Sequence, residues 1–324
     1  MIVVTGGAGF IGSNLAAALE EHGHQVAICD TLGSGDKWRN IAKRAPADIV
    51  APPRLLDFLE KNASRIDAVF HLGAISSTTE SDVDLILEQN FRFSGAVWDW
   101  CREHKKRLVY ASSAATYGDG SAGFDDDASP AALAKLRPLN PYGWSKHAFD
   151  RKLAAIDGWR SAGCIGLKFF NVYGPNEYHK GAQRSVVHQL HPKAAAGEAA
   201  VLFKSHNPAY PDGGQQRDFI WVDDCVAVML WLLEQPNVTG LFNVGTGRAR
   251  SFADLAGAVF AACGRNARID FIDTPPEIRD RYQYFTEARM DRLREAGYTA
   301  AFTSLEDGVR RYVDQFLAQP DPYR

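Results

Sequence analysis

The chain has 324 residues, 46% hydrophobic and 23% charged, with a formal net charge of −3. That length supports a large core and two lobes rather than one. The near-balanced charge gives no reason to expect nucleic acid or an anionic membrane as partner, so an anionic ligand must be held by local groups. Its cysteines (Cys29, Cys101, Cys164, Cys225 and Cys263) are scattered without a C-x-x-C, which reads as reduced thiols rather than disulfides or metal ligands. Strand-like sequence starts at residue 2 and no apolar run reaches membrane-spanning length, so a cytoplasmic protein is expected.

Short β-branched and apolar runs predict strands at 2–5, 25–30, 48–50, 68–72, 108–112 and 165–170. Helical patterns lie between most of them. The clearest covers 83–104, with Val83, Ile86, Leu87, Asn90, Phe91, Ser94, Val97, Trp98 and Cys101 on one stripe. Strand–helix alternation of this kind predicts an α/β fold, a doubly wound parallel sheet with helices on both faces. After Gly174 the segments become more polar and richer in Gly and Pro, notably 204–216. Further strands are predicted at 217–222 and 241–244, and helices at 224–234, 252–263 and 309–317. The simplest organisation is a dinucleotide-binding domain of 1–171 plus about 217–247, and a smaller α/β substrate-binding lobe of about 172–216 plus 248–324.

Thr5-Gly-Gly-Ala-Gly-Phe-Ile-Gly12 falls where the first strand turns into the first helix. Gly6, Gly9 and Gly12 permit a tight turn and close backbone approach to a pyrophosphate, and the helix start supplies N–H donors. Asp30 ends the second strand near the spacing expected of a ribose-binding carboxylate, which ordinarily favours NAD. Lys37 and Arg39 follow closely, and either is placed to neutralise a 2′-phosphate, so NADP and NAD both stay open. Asp48 suits either an adenine contact or an ordinary surface loop. Gly73 and Ala74, just past the fourth strand, let the backbone pass close to a cofactor or simply pack tightly.

Tyr142-Gly-Trp-Ser-Lys146 places a phenol and an ammonium on one helical face. A phenol is a poor base near neutrality, and a fixed positive charge beside it is expected to lower its pKa. Alone, that spacing most often marks a half-buried aromatic beside a solvated lysine. Ser112 and Ser113 at the end of the fifth strand change its meaning. Ser113, Tyr142 and Lys146 beside a nicotinamide make a hydride-transfer site: the Tyr takes an alcohol proton, the Ser holds the oxygen, the Lys tunes the Tyr.

Glycine loop, Ser, Tyr and Lys together resemble the extended short-chain dehydrogenase/reductase superfamily, with its Rossmann-type sheet, over most of the chain. Finer motifs are Phe70-His-Leu-Gly-Ala-Ile-Ser-Ser-Thr-Thr-Glu80, Tyr110-Ala-Ser-Ser-Ala-Ala-Thr-Tyr-Gly118, Phe170-Asn-Val-Tyr-Gly-Pro175, His179-Lys-Gly181, Arg217-Asp-Phe219, Phe242-Asn-Val-Gly-Thr-Gly-Arg248 and Arg281-Tyr-Gln283. They closely resemble the ADP-L-glycero-D-manno-heptose 6-epimerase family, a group of nucleotide-sugar epimerases in lipopolysaccharide precursor metabolism. The resemblance implies an isomerase with bound NADP (NAD remaining open) and a homo-oligomer, with a pentamer suggested. It assigns acid/base roles to Tyr142 and to Lys180 on the opposite face of the sugar carbon. Lys180 otherwise reads as an exposed loop lysine. Cofactor contacts are implied for Gly6, Gly9, Phe10, Ile11, Gly12, Asp30, Thr31, Lys37, Asp48, Leu72, Gly73, Ala74, Asn90, Tyr142, Lys146 and Lys180. Substrate contacts are implied for Ser113, Asn171, Ala182, Gln189, Phe203, Ser205, Arg217 and Tyr282.

The chain departs from the family in four of these positions. Thr31 stands where an Asn is expected, Leu72 for a Glu, Ala182 for a Ser and Gln189 for a His. These departures touch the nucleotide and the sugar and leave the chemistry intact. Other readings are a UDP-hexose 4-epimerase-like enzyme, a reductase, a dehydratase or an inactive dinucleotide-binding scaffold. Ala114-Ala115 lack the acid–base carboxylates of a dehydratase, and a scaffold would ordinarily have lost the Tyr or Lys. No metal is expected: His188-x-x-His191 lacks a nearby carboxylate. Asp125-Asp-Asp127 reads as a solvated loop, and Asp223-Asp224 as the cap of the helix that follows.

Overall fold

The computed structural model describes residues 1–279 and 283–324. Its first strands are β1 (Ile2–Thr5), β2 (Val26–Cys29), β3 (Asp48–Val50), β4 (Ala68–His71), β5 (Arg107–Ser113) and β6 (Cys164–Phe169). There follow β7 (Asn171–Tyr173), β8 (Ala200–Phe203), β9 (Gln216–Arg217), β10 (Phe219–Trp221), β11 (Gly240–Val244), β12 (Arg250–Ser251) and β13 (Ile269–Ile272). A seven-stranded sheet runs β11–β6–β5–β4–β1–β2–β3, and every pairing in it is parallel. Every residue of β1, β2, β4, β6 and β11 is buried, as a sheet covered on both faces requires. Strand order reverses between β1 and β4, which opens a crevice at their carboxyl ends.

Alternate side chains of the sheet feed two apolar cores. One joins Val3, Val69 and Leu108 to Val97, Trp98 and Leu153. The other joins Val4, Phe70 and Val109 to Leu15, Leu19, Met229 and Leu232. A third core lies among later elements, with Tyr173, Leu190, Leu202, Trp221, Leu255, Val259, Val309 and Tyr312. Small two-stranded sheets, β7 with β10, β8 with β13 and β9 with β12, accompany it.

The 83–104 stripe is one continuous helical path, but not a uniform one. α-Helix at Val83–Ile86 widens to a π turn at Leu87–Arg92 and returns to α-helix at Phe93–Glu103. The strand predicted at 217–222 is instead β9 and β10, divided at Asp218. The buried Asp218 carboxylate accepts the backbone N–H groups of Thr246, Gly247 and Ala288, so its segment bends around that contact rather than continuing as a ladder. The closing helix starts earlier than predicted, at Leu305, and ends in a π turn at Val313–Leu317.

Two acidic motifs also differ from expectation. Asp223 and Asp224 sit in the first turn of Val222–Glu234, whose N-cap is Trp221 with no side-chain cap bond. Asp223 instead pairs with Arg324, and Asp224 accepts from Thr303. Of the Asp125–Asp127 run, Asp126 is only 2% exposed and accepts the Asn243 N–H at 2.7 Å.

Candidate active site

A cleft of about 290 Å³ opens at the β1–β4 crevice, lined by the glycine loop, the end of β5, Tyr142, Lys146 and Lys180. The loop builds itself from its glycines. Gly6 has φ +65°, the left-handed region, and a Cβ there would lie 2.6 Å from Gly73 N. A Cβ on Gly12 would lie 2.1 Å from the Gly6 carbonyl. Only glycines let strand, loop and helix close this tightly. Gly9 is the N-cap of Phe10–Glu21, a helix with no acidic first turn and no side-chain cap. Its N-terminal N–H groups therefore face the cleft without a local anion, the arrangement that receives a pyrophosphate.

A buried relay fixes the floor. Gly73 N–H donates to Thr5 Oγ1, which contacts His71 Nδ1 at 2.8 Å, and His71 Nε2 contacts Ser94 Oγ at 2.9 Å. Ser94 spends its proton on Asn90 O, so His71 carries its hydrogen on Nε2 and accepts from Thr5. Burial, reinforced by Lys146, pushes His71 down to about 3, which keeps it neutral. Asn90 is fully buried, with its side chain paired to Ile75 N, Ile75 O and Ser145 Oγ. It stands behind the cleft wall rather than on it.

At the crevice's second-strand edge, Asp30 accepts from Ala8 N at 2.9 Å, from Thr31 N at 2.7 Å and from Lys37 Nζ at 2.5 Å. Thr31, Lys37, Gly73 and Ala74 line an adjoining pocket. Arg39, the other basic residue of that loop, is stacked 4.4 Å over the Tyr323 ring. Phe10, Ile11 and Leu72 line the main cleft. Asp48 lies apart, in a shallow pocket with Arg54 and Lys61.

Tyr142 and Lys146 share the helix Pro141–Ala154, capped by Asn140. The Ser113 hydroxyl is hydrogen-bonded to the Tyr142 phenol, and Lys146 Nζ donates to Ala111 O at 2.8 Å. The expectation that Lys146 lowers the phenol is not met. Burial raises Tyr142 above its usual value, and only the Ser113 bond pulls it back. Burial also brings Lys146 down to about 8, with Asp150 opposing. In the free protein the ammonium is directed at a carbonyl, and desolvation decides the phenol's state.

Lys180 enters the cleft from the turn Tyr178–Gln183, its Nζ 5.6 Å from the Phe10 ring centre. Burial lowers its pKa and Glu177 opposes that. The segment before it is tied down heavily. Asn14 binds Pro175 O, Asn40 binds Asn176 O, and Asn176 binds Ser13 Oγ. Gln183 Nε2 donates to Ser77 Oγ at 2.8 Å, joining the His-Lys-Gly turn to the Ser-Ser-Thr-Thr loop. The C-terminal residues add a strap: Tyr178 OH donates to Pro322 O, Lys43 to Tyr323 O, and Arg324 N to Asn176 Oδ1.

The remaining substrate residues fall elsewhere. Asn171 is exposed on β7. Ala182 and Gln189 are neighbours, with Gln189 Nε2 donating to Ala182 O and Arg184 O. Phe203 ends β8, and Ser205 opens a loop closed by Gly213 N to Phe203 O and Ser205 N to Asp212. Arg217 on β9 lies 5.7 Å from the Phe252 ring. Tyr282 and Arg281 lie outside the described residues.

Sequence reasoning passed over His179 and Ser76, which line the cleft, and the buried charges beneath it. Glu177 accepts from Ser185 Oγ at 2.6 Å and Tyr312 OH at 3.0 Å. Asp150 and Lys168 pair at 2.9 Å with both side chains fully buried. A lysine inside the apolar run of β6 was the one legible signal. Among the described residues, no group of three or more His, Cys, Asp or Glu is placed to hold a metal. No described helix is long and apolar enough to cross a membrane.

Comparison with known proteins agrees with this geometry. The model of the NAD dependent epimerase/dehydratase family matches residues 2–245. An ADP-L-glycero-D-manno-heptose-6-epimerase of Nitratidesulfovibrio vulgaris (strain DP4) is 49% identical, over 100% of both chains. The crystal structure of the Helicobacter pylori enzyme of that name superposes with a TM-score of 0.80 at 27% identity, covering 97% of this chain and 95% of the other. A UDP-glucose 4-epimerase of Thermus thermophilus in complex with NAD gives 0.74 at 26%, covering 97% of each.

Proposed function

The chain belongs to the NAD dependent epimerase/dehydratase family and is a nucleotide-sugar epimerase, and from that premise we propose that it interconverts ADP-D-glycero- and ADP-L-glycero-D-manno-heptose at C6″ with bound NADP. The observation that carries the reading is the placement of two proton carriers, Tyr142 and Lys180, on one cleft beside the glycine loop. A reductase needs one such group. An epimerase must serve both faces of the same carbon, because hydrogen leaves one face and returns to the other.

When bound, the nicotinamide accepts and returns the hydride of the sugar carbon, so no net redox results. Tyr142 takes the C6″ hydroxyl proton in one orientation of the sugar, and Ser113 holds the oxygen. Lys180 serves the opposite orientation, and its lowered pKa suits a group that must give up and regain a proton. Lys146 keeps positive charge at the end of β5. The nucleotide end is assigned to Arg217, Phe203, Ser205 and Tyr282, with Ala182, Gln189 and Asn171 nearer the sugar. Lys37 is the proposed 2′-phosphate contact: it already neutralises Asp30, whereas Arg39 is engaged with Tyr323. Residues 1–171 and about 217–247 form the cofactor domain in this reading, and 172–216 with 248–324 the substrate lobe. A cytoplasmic homo-oligomer completes it.

The test is to incubate the protein separately with ADP-D-glycero-β-D-manno-heptose, UDP-glucose and GDP-mannose, following configuration by NMR and identifying released cofactor by mass. Epimerisation of the ADP-heptose, lost in Lys180→Ala, is expected. Turnover of only a UDP- or GDP-sugar overturns the substrate, and full activity in Lys180→Ala overturns the second base.

A further inference from the structure

Three consecutive residues at the catalytic end of β5 are each gripped by a different partner. Lys146 Nζ donates to Ala111 O at 2.8 Å. Ser112 Oγ donates to Asp150 Oδ2 at 2.8 Å. Thr116 Oγ1 donates to Ser113 O at 2.8 Å. Behind them, Lys168 Nζ reaches both Thr116 Oγ1 at 2.5 Å and Asp150 Oδ2 at 2.9 Å. Tyr110 OH adds a bond to Asp150 Oδ1 at 3.0 Å. Neither Asp150 nor Lys168 has any side-chain exposure, so neither touches a ligand.

A fully buried ion pair is a weak source of net stability, because two apolar side chains of similar volume serve as well or better. Its retention here asks for another role, and its partners name one. We propose that Asp150 and Lys168 are positioning residues of the epimerase site: together they fix the Ser113 end of β5 and hold Lys146 as an ammonium against that strand. This rests on the epimerase reading above for its kinetic consequences, though not for its geometry.

The electrostatic side follows from helix spacing. Asp150 lies one turn beyond Lys146 on the same helix, where side chains four apart are neighbours. It is the carboxylate that opposes the loss of the Lys146 proton to burial. Asp150 is also faced by Tyr110 from β5, Lys168 and Cys164 from β6, Tyr117 from the following turn, and His147 from its own helix. His71 from β4 faces Lys146. The thiol and the phenols are pushed up, and both imidazoles down, principally by burial. All are thus neutral near pH 7, leaving Asp150 as the negative charge in this group. Removing it disfavours the ammonium.

The decisive variant is the double substitution Asp150→Asn/Lys168→Met, because Asp150→Asn alone leaves the lysine buried without its counter-charge. Thr116→Val is its complement: it cuts the link from Lys168 to Ser113 and leaves every charge in place. With [13Cε]-lysine labelling, the Lys146 resonance, assigned with Lys146→Arg, titrates near 8 in the parent. It is expected about one unit lower in the double variant and unmoved in Thr116→Val. In epimerisation assays both variants lose about tenfold or more in kcat, with KM changed by less than about threefold. An unshifted Lys146 titration in the double variant overturns the electrostatic role, and an undiminished kcat in Thr116→Val overturns the positional one. If the parent fails to turn over the ADP-heptose, the functional reading fails while the titration still judges the pair.

Discussion

Gly9 and Gly12 sit three residues apart on one loop, yet the structure separates what alanine does at each. At Gly12 a Cβ falls 2.1 Å from Gly6 O, 2.8 Å from Gly6 C and 2.9 Å from Gly7 Cα. All are backbone atoms, so no side chain can swing aside. Restoring ordinary contact requires the helix to retreat by about 1 Å, and overpacking of this kind costs about 1–3 kcal/mol. A rigid backbone neighbour puts Gly12→Ala at the upper end, about 3 kcal/mol. At Gly9 the Cβ lies 3.0 Å from Gly6 O and the backbone is ordinary, with φ −76°. Gly9→Ala is expected to cost less than about 1 kcal/mol in the free protein, because only a few tenths of an ångström must be found. Its methyl group instead faces the ligand side of the loop, where the pyrophosphate must approach the backbone. Both variants are expected to lose cofactor affinity by at least about a hundredfold, but only Gly12→Ala to unfold early. Urea denaturation of cofactor-stripped protein and a binding titration separate the two. Equal destabilisation by both, or parent-like cofactor affinity in Gly9→Ala, refutes the reasoning.

Lys37→Ala is expected to weaken NADP binding by about 10–100-fold, the worth of a charge-assisted hydrogen bond, with a smaller effect on NAD. Calorimetric titration with each dinucleotide checks it, and equal losses for both would falsify the 2′-phosphate assignment. Asp126 makes a stability prediction, because burial raises its carboxyl to about 6. Folded protein then holds that proton more tightly than unfolded chain, so parental stability falls as pH rises from about 4 to about 6, by about 3 kcal/mol. Asp126→Asn removes this component. The variant-minus-parent difference in unfolding free energy should climb over that interval, and a flat difference refutes the role of burial.

Much of the sheet was readable because each strand is a short apolar run with every residue buried, as at Ile2–Thr5 and Ala68–His71. The glycine loop was legible for a related reason, since glycines are indispensable where backbone meets backbone. Local pattern carried less information where one distant contact decides the outcome. Nothing near Asp218 announces that its carboxylate will gather N–H groups from residues 246, 247 and 288 and divide a predicted strand. Asp126 looked solvated beside two other aspartates until Asn243 and Arg292 arrived from 117 and 166 residues away. The Tyr142–Lys146 spacing placed both groups in the cleft, but helical spacing is silent on desolvation, and desolvation governs the phenol. Asp150 and Lys168 were hidden because ionic partners on a helix and a strand share no periodicity.

The π turn at Leu87–Arg92 bears on how this sequence can change length. A π turn carries one residue more than a regular helix needs over the same rise. Deleting any residue within it would restore an even helix and rotate everything beyond by about 100° relative to everything before. Asn90 would then part from Ile75 and Ser145, or Val97, Trp98 and Cys101 would leave the core. Substitutions in this helix can be absorbed singly, but a one-residue gap cannot. A relative with such a gap must have rebuilt the wall behind its cofactor cleft.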